Sequence, residues 1–258
     1  MKRLIPFILI SLLICSCGRN ESATVKNETV NDTVITSAPQ KEKYVNALYY
    51  DNLGKFMSGR DINEESVFYD NTQNQSYKIY KKNMNASWDN IRETRLNKME
   101  EWFSEEISPQ INDSVNLFYP FSGADVIHSF AFYPFAKNYF FIALENTGSI
   151  PAFENMPASS VNSYFSNLNQ SIKEVMLISF FITNKMSKTM TKDKTDGVMP
   201  VLEMFISRTG CSILDIESGE YESVPYLKFV IKNEKLDYEQ NLYYYKMDLS
   251  DGTASKKT

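Results

Sequence analysis

The chain has 258 residues, 43% of them hydrophobic and 14% aromatic, with only nine glycines, enough for one sizeable packed domain or two small ones. Its 27 Lys and Arg against 32 Asp and Glu give a net charge of −5, and removing Lys2 and Arg3 with a leader would make that −7. Mild acidity argues against nucleic acid, whose binding needs clustered cations, and against electrostatic adhesion to anionic lipid.

Lys2 and Arg3 precede a short apolar run, Leu4 to Cys15, interrupted by Pro6 and Ser11 and too short for a permanent membrane span. Leu13-Ile14-Cys15-Ser16-Cys17-Gly18 then resembles a bacterial lipobox, with aliphatic Ile14 three before Cys17 and small Ser16 directly before it. The resemblance implies a signal peptide over 1–16 and a lipidated Cys17 that anchors the chain to a membrane. Only Cys211 then remains as a thiol, so the mature chain forms no internal disulfide. Residues 17–43 form the next expected unit. The stretch from Gly18 to Lys43 is polar and poor in large apolar residues, which predicts a flexible tether. Gly18-Arg19 does not resemble an inner-membrane retention signal, nor Asn20-Glu21-Ser22 a surface-export signal, which points to the outer membrane facing the periplasm.

The domain is expected over 44–258. Val45, Leu48, Tyr49, Leu53, Phe56 and Met57 recur at helical spacing before Gly59, and Arg60 to Ser76 reads as a polar loop. A helix is predicted from Ser87 to Ile107, with Trp88, Ile91, Leu96, Met99, Trp102, Phe103 and Ile107 on one face. A short strand at Val115–Phe118, a helix at Val126–Phe132 and a strand at Tyr139–Leu144 follow. Ser159 or Ser160 caps a long helix reaching about Phe181, with Val161, Tyr164, Phe165, Leu168, Ile172, Val175, Met176 and Ile178 inward. Lys185 to Gly197 reads as an exposed loop or frayed helix, and Pro200 opens a helix that Gly210 closes. Strands are expected at Ile213–Ile216, Tyr226–Ile231 and Leu242–Leu249, with turns at Ser218-Gly219 and Asn233-Glu234. No internal repeat is evident. The sum is an α+β fold, helices packed on a mainly antiparallel sheet.

Few residues point to chemistry. Ser122, Asp125 and His128 supply hydrolase residue types but lie within one short turn and helix, where Ser122 and Asp125 read as a capping pattern and His128 as a core imidazole. Arg92 and Arg95, with Glu106, fall inside or beside the apolar arc of their helix. They are paired across the core, snorkelling at its edge, or clamping a carboxylate or phosphate in a pocket; pairing is the favoured reading. Asp193-Lys194-Thr195-Asp196-Gly197 lacks the ligand count of a calcium loop, and one histidine with one thiol makes zinc a poor fit, so no metal is expected. No Walker loop, GxGxxG or GxSxG occurs, and no cofactor is implied. Tyr49-Tyr50 and Tyr243-Tyr244-Tyr245 could stack on sugars, although in a strand alternate members of such a run enter the core.

Tyr119-Pro120-Phe121-Ser122-Gly123-Ala124-Asp125, Phe132-Tyr133-Pro134, Leu144-Glu145-Asn146-Thr147-Gly148, Arg208-Thr209-Gly210, Leu242-Tyr243-Tyr244-Tyr245 and Asp248-Leu249-Ser250-Asp251-Gly252 together resemble an uncharacterised family of bacterial envelope proteins. The resemblance implies neither activity nor ligand. Proteins of that kind are pictured continuing beyond the Leu-Ser-Asp-Gly segment, so the stop at Thr258 leads to the expectation of an incomplete domain. The functional expectation is a membrane-anchored ligand-binding or structural envelope module, its small-molecule or protein partner unspecified. The alternative is a hydrolase acting on envelope glycans or lipids.

Overall fold

The computed structural model describes residues 43–111, 115–120, 125–177 and 196–249. Cys17, its signal and the tether to residue 42, Ser122 and the 178–195 segment lie outside the described residues. The fold is α+β, with helices lying on one face of a five-stranded mixed sheet.

Helix α1 (Ala47–Met57) buries Leu53, Phe56 and Met57, and Gly59 follows its end with φ +68°. Val45 and Leu48, expected on its apolar face, are exposed: Val45 precedes the helix, and Leu48 points away from the core. The expected polar loop at 60–76 contains a short helix, α2 (Tyr69–Thr72), and the start of α3 (Gln75–Ile91). α3 therefore begins twelve residues before Ser87, because Tyr77, Tyr80 and Met84 extend the same buried stripe as Trp88 and Ile91. The helix then continues through a π turn (Arg92–Leu96), α4 (Asn97–Trp102) and a second π turn (Phe103–Ile107). Buried Ile91 and Leu96 are five residues apart, a step that an α-helix cannot place on one face and that an i→i+5 turn can.

Strand β1 (Asn116–Tyr119), helix α5 (Val126–Phe132) and strand β2 (Asn138–Ala143) form a parallel β–α–β unit. Helix α6 (Ala158–Leu177) turns Val161, Phe165, Leu168 and Ile172 inward. There Phe165 joins Phe56, Tyr77 and Phe153 in a cluster with ring centroids 5.0–5.4 Å from Phe165. Helix α7 (Met199–Arg208) has Pro200 in its first turn and every residue from Met199 to Ser207 buried. Its first amides are satisfied by another loop: Val198 N–H donates to Asn146 O and Met199 N–H to Thr147 O. This contact requires glycine twice. Gly148 and Gly197 have φ of +78° and +94°, and a Cβ on Gly197 would stand 2.5 Å from Gly148 N.

Strands β3 (Cys211–Tyr221), β4 (Val224–Asn233) and β5 (Glu239–Lys246) are antiparallel, and β5 pairs parallel with β2, giving the order β1-β2-β5-β4-β3. A bulge between Ile213 and Asp215 lets both Ile213 and Ile216 face inward. The turn expected at Ser218-Gly219 does not form there. Gly219 stays in the strand because the Tyr226 ring occupies its side-chain space, and the chain reverses at Glu222-Ser223, both with positive φ, as a two-residue hairpin turn requires. Cys211, at the start of β3, is buried, and burial pushes its thiol pKa up to about 11. No helix among the described residues is long and apolar enough to cross a membrane.

Candidate functional site

The two π turns give the long helix a bulged wall, and a cleft of about 600 Å³ lies against it. The opposite wall is α5 with the turn that follows it, and one end is closed by the Thr209-Gly210 and Asn233–Lys235 turns. Its apolar lining includes Trp88, Leu96, Phe103, Ile127 and Phe130, whereas Arg92, Glu100, Glu234 and Lys235 bring charge to the rim. Its volume falls in the range of small-molecule sites, and its lining mixes apolar and polar groups in similar measure. π turns recur at such sites because the extra residue re-aims the side chains around it.

Arg92 stands at the edge of the cleft rather than inside the core. Its Nη2 donates to Asn97 Oδ1 at 2.8 Å and to Glu100 Oε2 at 3.2 Å, and both partners of the ion pair are about half exposed. Arg95 is partly buried and does not belong to the cleft lining. Residues three apart overlie each other in an α-helix, but the i→i+5 turn that holds Arg92 and Arg95 splays them. Glu106 is exposed within the second π turn.

His128 and Asp125 are both buried, with His128 Nδ1 3.6 Å from Asp125 Oδ1, beyond hydrogen-bonding distance. Tyr119 donates its hydroxyl to Asp125 Oδ2 at 3.1 Å. Asp125 precedes α5 and makes no side-chain capping bond, its carboxylate meeting Tyr119 instead, while Ser122 of the expected capping pattern lies outside the described residues. Neither His128 nor Asp125 lines the cleft. Asp196, in the loop compared with a calcium site, accepts a hydrogen bond from Ser149 Oγ.

Glu203 was not among the residues singled out from sequence. It lies in the middle of α7 at 0% exposure, and neither carboxylate oxygen has a hydrogen-bond partner among the described residues. The buried hydroxyl of Tyr164 is similarly unpartnered. Burial drives the Glu203 pKa well above the usual carboxylate range, favouring its neutral form. The available signal was its isolation as the only charge in Val201-Leu202-Glu203-Met204-Phe205-Ile206. Glu145 is also fully buried but accepts the Tyr244 hydroxyl at its Oε2, 3.1 Å away.

Comparison with protein-family models, with curated proteins and with solved structures finds no match for this chain.

Proposed function

We propose that the chain is a lipid-anchored module of the bacterial cell envelope that binds a small amphipathic anion in the cleft beside the two π turns. The observation that carries this reading is the union of an apolar lining with Arg92 at the mouth. The ligand's apolar body lies on Trp88, Leu96 and Phe130, and its carboxylate, sulfonate or phosphate takes Arg92 from Glu100. Arginine suits that exchange because its planar fork meets an oxyanion with two parallel donors. Binding is the favoured activity; Asp125 and His128, residue types weighed for hydrolysis, do not line the cleft.

Anilinonaphthalene sulfonate, an aromatic anion whose fluorescence rises in apolar surroundings, is a direct probe. Saturable one-to-one binding is expected. Arg92→Ala should weaken it about tenfold, and Ser104→Trp, which projects from an exposed wall position into the cleft, should abolish it. Glu100→Gln should strengthen it by releasing the guanidinium. Equal binding by all four proteins would sink the assignment. The anchor is tested separately: Cys17→Ser should release the chain from the membrane fraction with loss of the lipid mass, and an unprocessed wild-type chain would refute it.

A further inference from the structure

Three adjacent strands carry one four-residue pattern in register. Asn116-Leu117-Phe118-Tyr119 of β1 pairs residue for residue with Asn138-Tyr139-Phe140-Phe141 of β2, which pairs with Asn241-Leu242-Tyr243-Tyr244 of β5. All three strands run parallel, so equivalent side chains line up across the sheet. On the face opposite the helices, Asn241 Nδ2 donates to Asn138 Oδ1 at 3.0 Å and Asn138 Nδ2 donates to Asn116 Oδ1 at 2.8 Å. Two residues on, Phe118 stacks on Phe140 with centroids 4.8 Å apart, and Phe140 stacks on Tyr243 at 5.1 Å. Such side-chain ladders are how identical segments stabilise one another when stacked in register.

Among the described residues the ladders stop at β1, which is an edge strand of the sheet. The amide chain runs toward that edge and ends with the Nδ2 of Asn116 as its outermost donor. Phe118, 67% exposed, has one ring face against Phe140 and the other toward the open side. Val115 O accepts Lys137 N–H on the β2 side, so strand alternation turns the backbone groups of Asn116 and Phe118 outward. Edge strands are usually defended by shortness, charge, proline or a bulge. β1 is short and ends before Pro120, but no charged side chain stands on its edge.

We propose that the β1 edge receives an extended peptide segment of a partner protein as a fourth parallel strand. Its recognised chemistry is Asn, an apolar residue, then an aromatic. The incoming asparagine oxygen accepts from Asn116 Nδ2, the incoming ring covers the open face of Phe118, and the peptide backbone pairs with the outward groups of Asn116 and Phe118. This is strand addition, in which main-chain bonds supply affinity and alternate side chains supply specificity. A second copy of this chain fits less well, because a two-fold axis normal to the sheet would make the two β1 strands antiparallel and set Asn116 against the aromatic row.

The probe is an acetylated and amidated peptide with the sequence of β5, Glu239 to Lys246, titrated into the full chain and followed by the anisotropy of a terminal fluorophore. Saturable binding is expected, at least about tenfold weaker for peptides with leucine at the asparagine or serine at the matching aromatic. Phe118→Pro removes only an outward N–H and an exposed ring, leaving the β1–β2 bonds in place, and should abolish binding. Phe118→Lys keeps the backbone and should do the same by charging the edge, which preserves the test if the proline variant misfolds. No binding, or unchanged binding to both variants, would overturn the proposal. Concentration-dependent dimerisation lost in Phe118→Lys, without peptide binding, would assign the edge to a second copy and overturn it equally.

Discussion

The two faces of the sheet use the same residue types to different ends. On the helix side, Tyr139, Phe141 and Tyr244 are buried, with Tyr139 stacked on Phe130 of α5, and Phe56, Phe153 and Phe165 meet face to edge and face to face in a buried cluster. On the other side, Phe118, Phe140 and Tyr243 stack in a row that continues along β5 to Tyr245, with the asparagine row beside them. An aromatic ring contributes mostly through the water it escapes, so the inner rings hold the fold and the outer rings align strands. A shared side-chain inventory therefore says little about energetic weight until the face is known.

The comparison is tested most strongly at Phe56. Phe56→Ala should cost about 3–5 kcal/mol by chemical denaturation, whereas Phe140→Ala should cost about 1 kcal/mol, and similar losses at both positions would erase the distinction. Glu203 probes the dryness of the inner side through pH. Its folded pKa is raised by burial, so between pH 4.5 and that value the folded state keeps a proton that the unfolded chain has released. Stability should then fall as pH rises through this window, by about 1.4 kcal/mol per unit for one proton, and Glu203→Gln should flatten the slope. Glu217 and Glu239 do not obscure it. Hydrogen bonds from Tyr226 and Lys43 respectively hold their pKa values low, so their contribution is complete above pH 4.5 and is lost only as pH falls further. A denaturation midpoint equally sensitive to pH in the Gln variant would remove Glu203 as the cause.

Smaller effects belong to the wet face and rim. Asn138→Ala removes both ladder amide bonds and should cost about 1 kcal/mol. Glu100→Ala should change stability by less than about 0.5 kcal/mol, because its pair with Arg92 is half exposed and screened. If Glu100→Ala were as damaging as Asn138→Ala, the cleft mouth would be a structural lock rather than a binding rim.

The α+β class and most elements were legible because their periodicity is strong: α5 occupies the expected Val126–Phe132, and Pro200 and Gly210 bracket α7. The early start of α3 was hidden by its polar residues between Tyr77, Tyr80 and Met84. The π turns left one trace, the five-residue step from Ile91 to Leu96, which a 3.6-residue wheel averages away. That same averaging put Arg92 and Arg95 on one arc. Trp102, assigned inward, is half exposed and meets Phe132 edge-on for a related reason. The Asn-apolar-aromatic-aromatic pattern escaped notice because four residues recurring at unequal intervals make no sequence repeat. They become one only when strand pairing brings them level. Glu203 was missed because a lone acid in a helix normally faces water.

Buried Cys211 provides a clock. With Cys15 and Cys17 replaced by serine, it would be the sole thiol, and both its burial and its raised pKa protect it in the closed sheet. A thiol reagent at neutral pH would then react only in molecules where the start of β3 has opened. The labelling rate would follow that opening directly, and a ligand seated against the neighbouring Thr209-Gly210 turn should slow it.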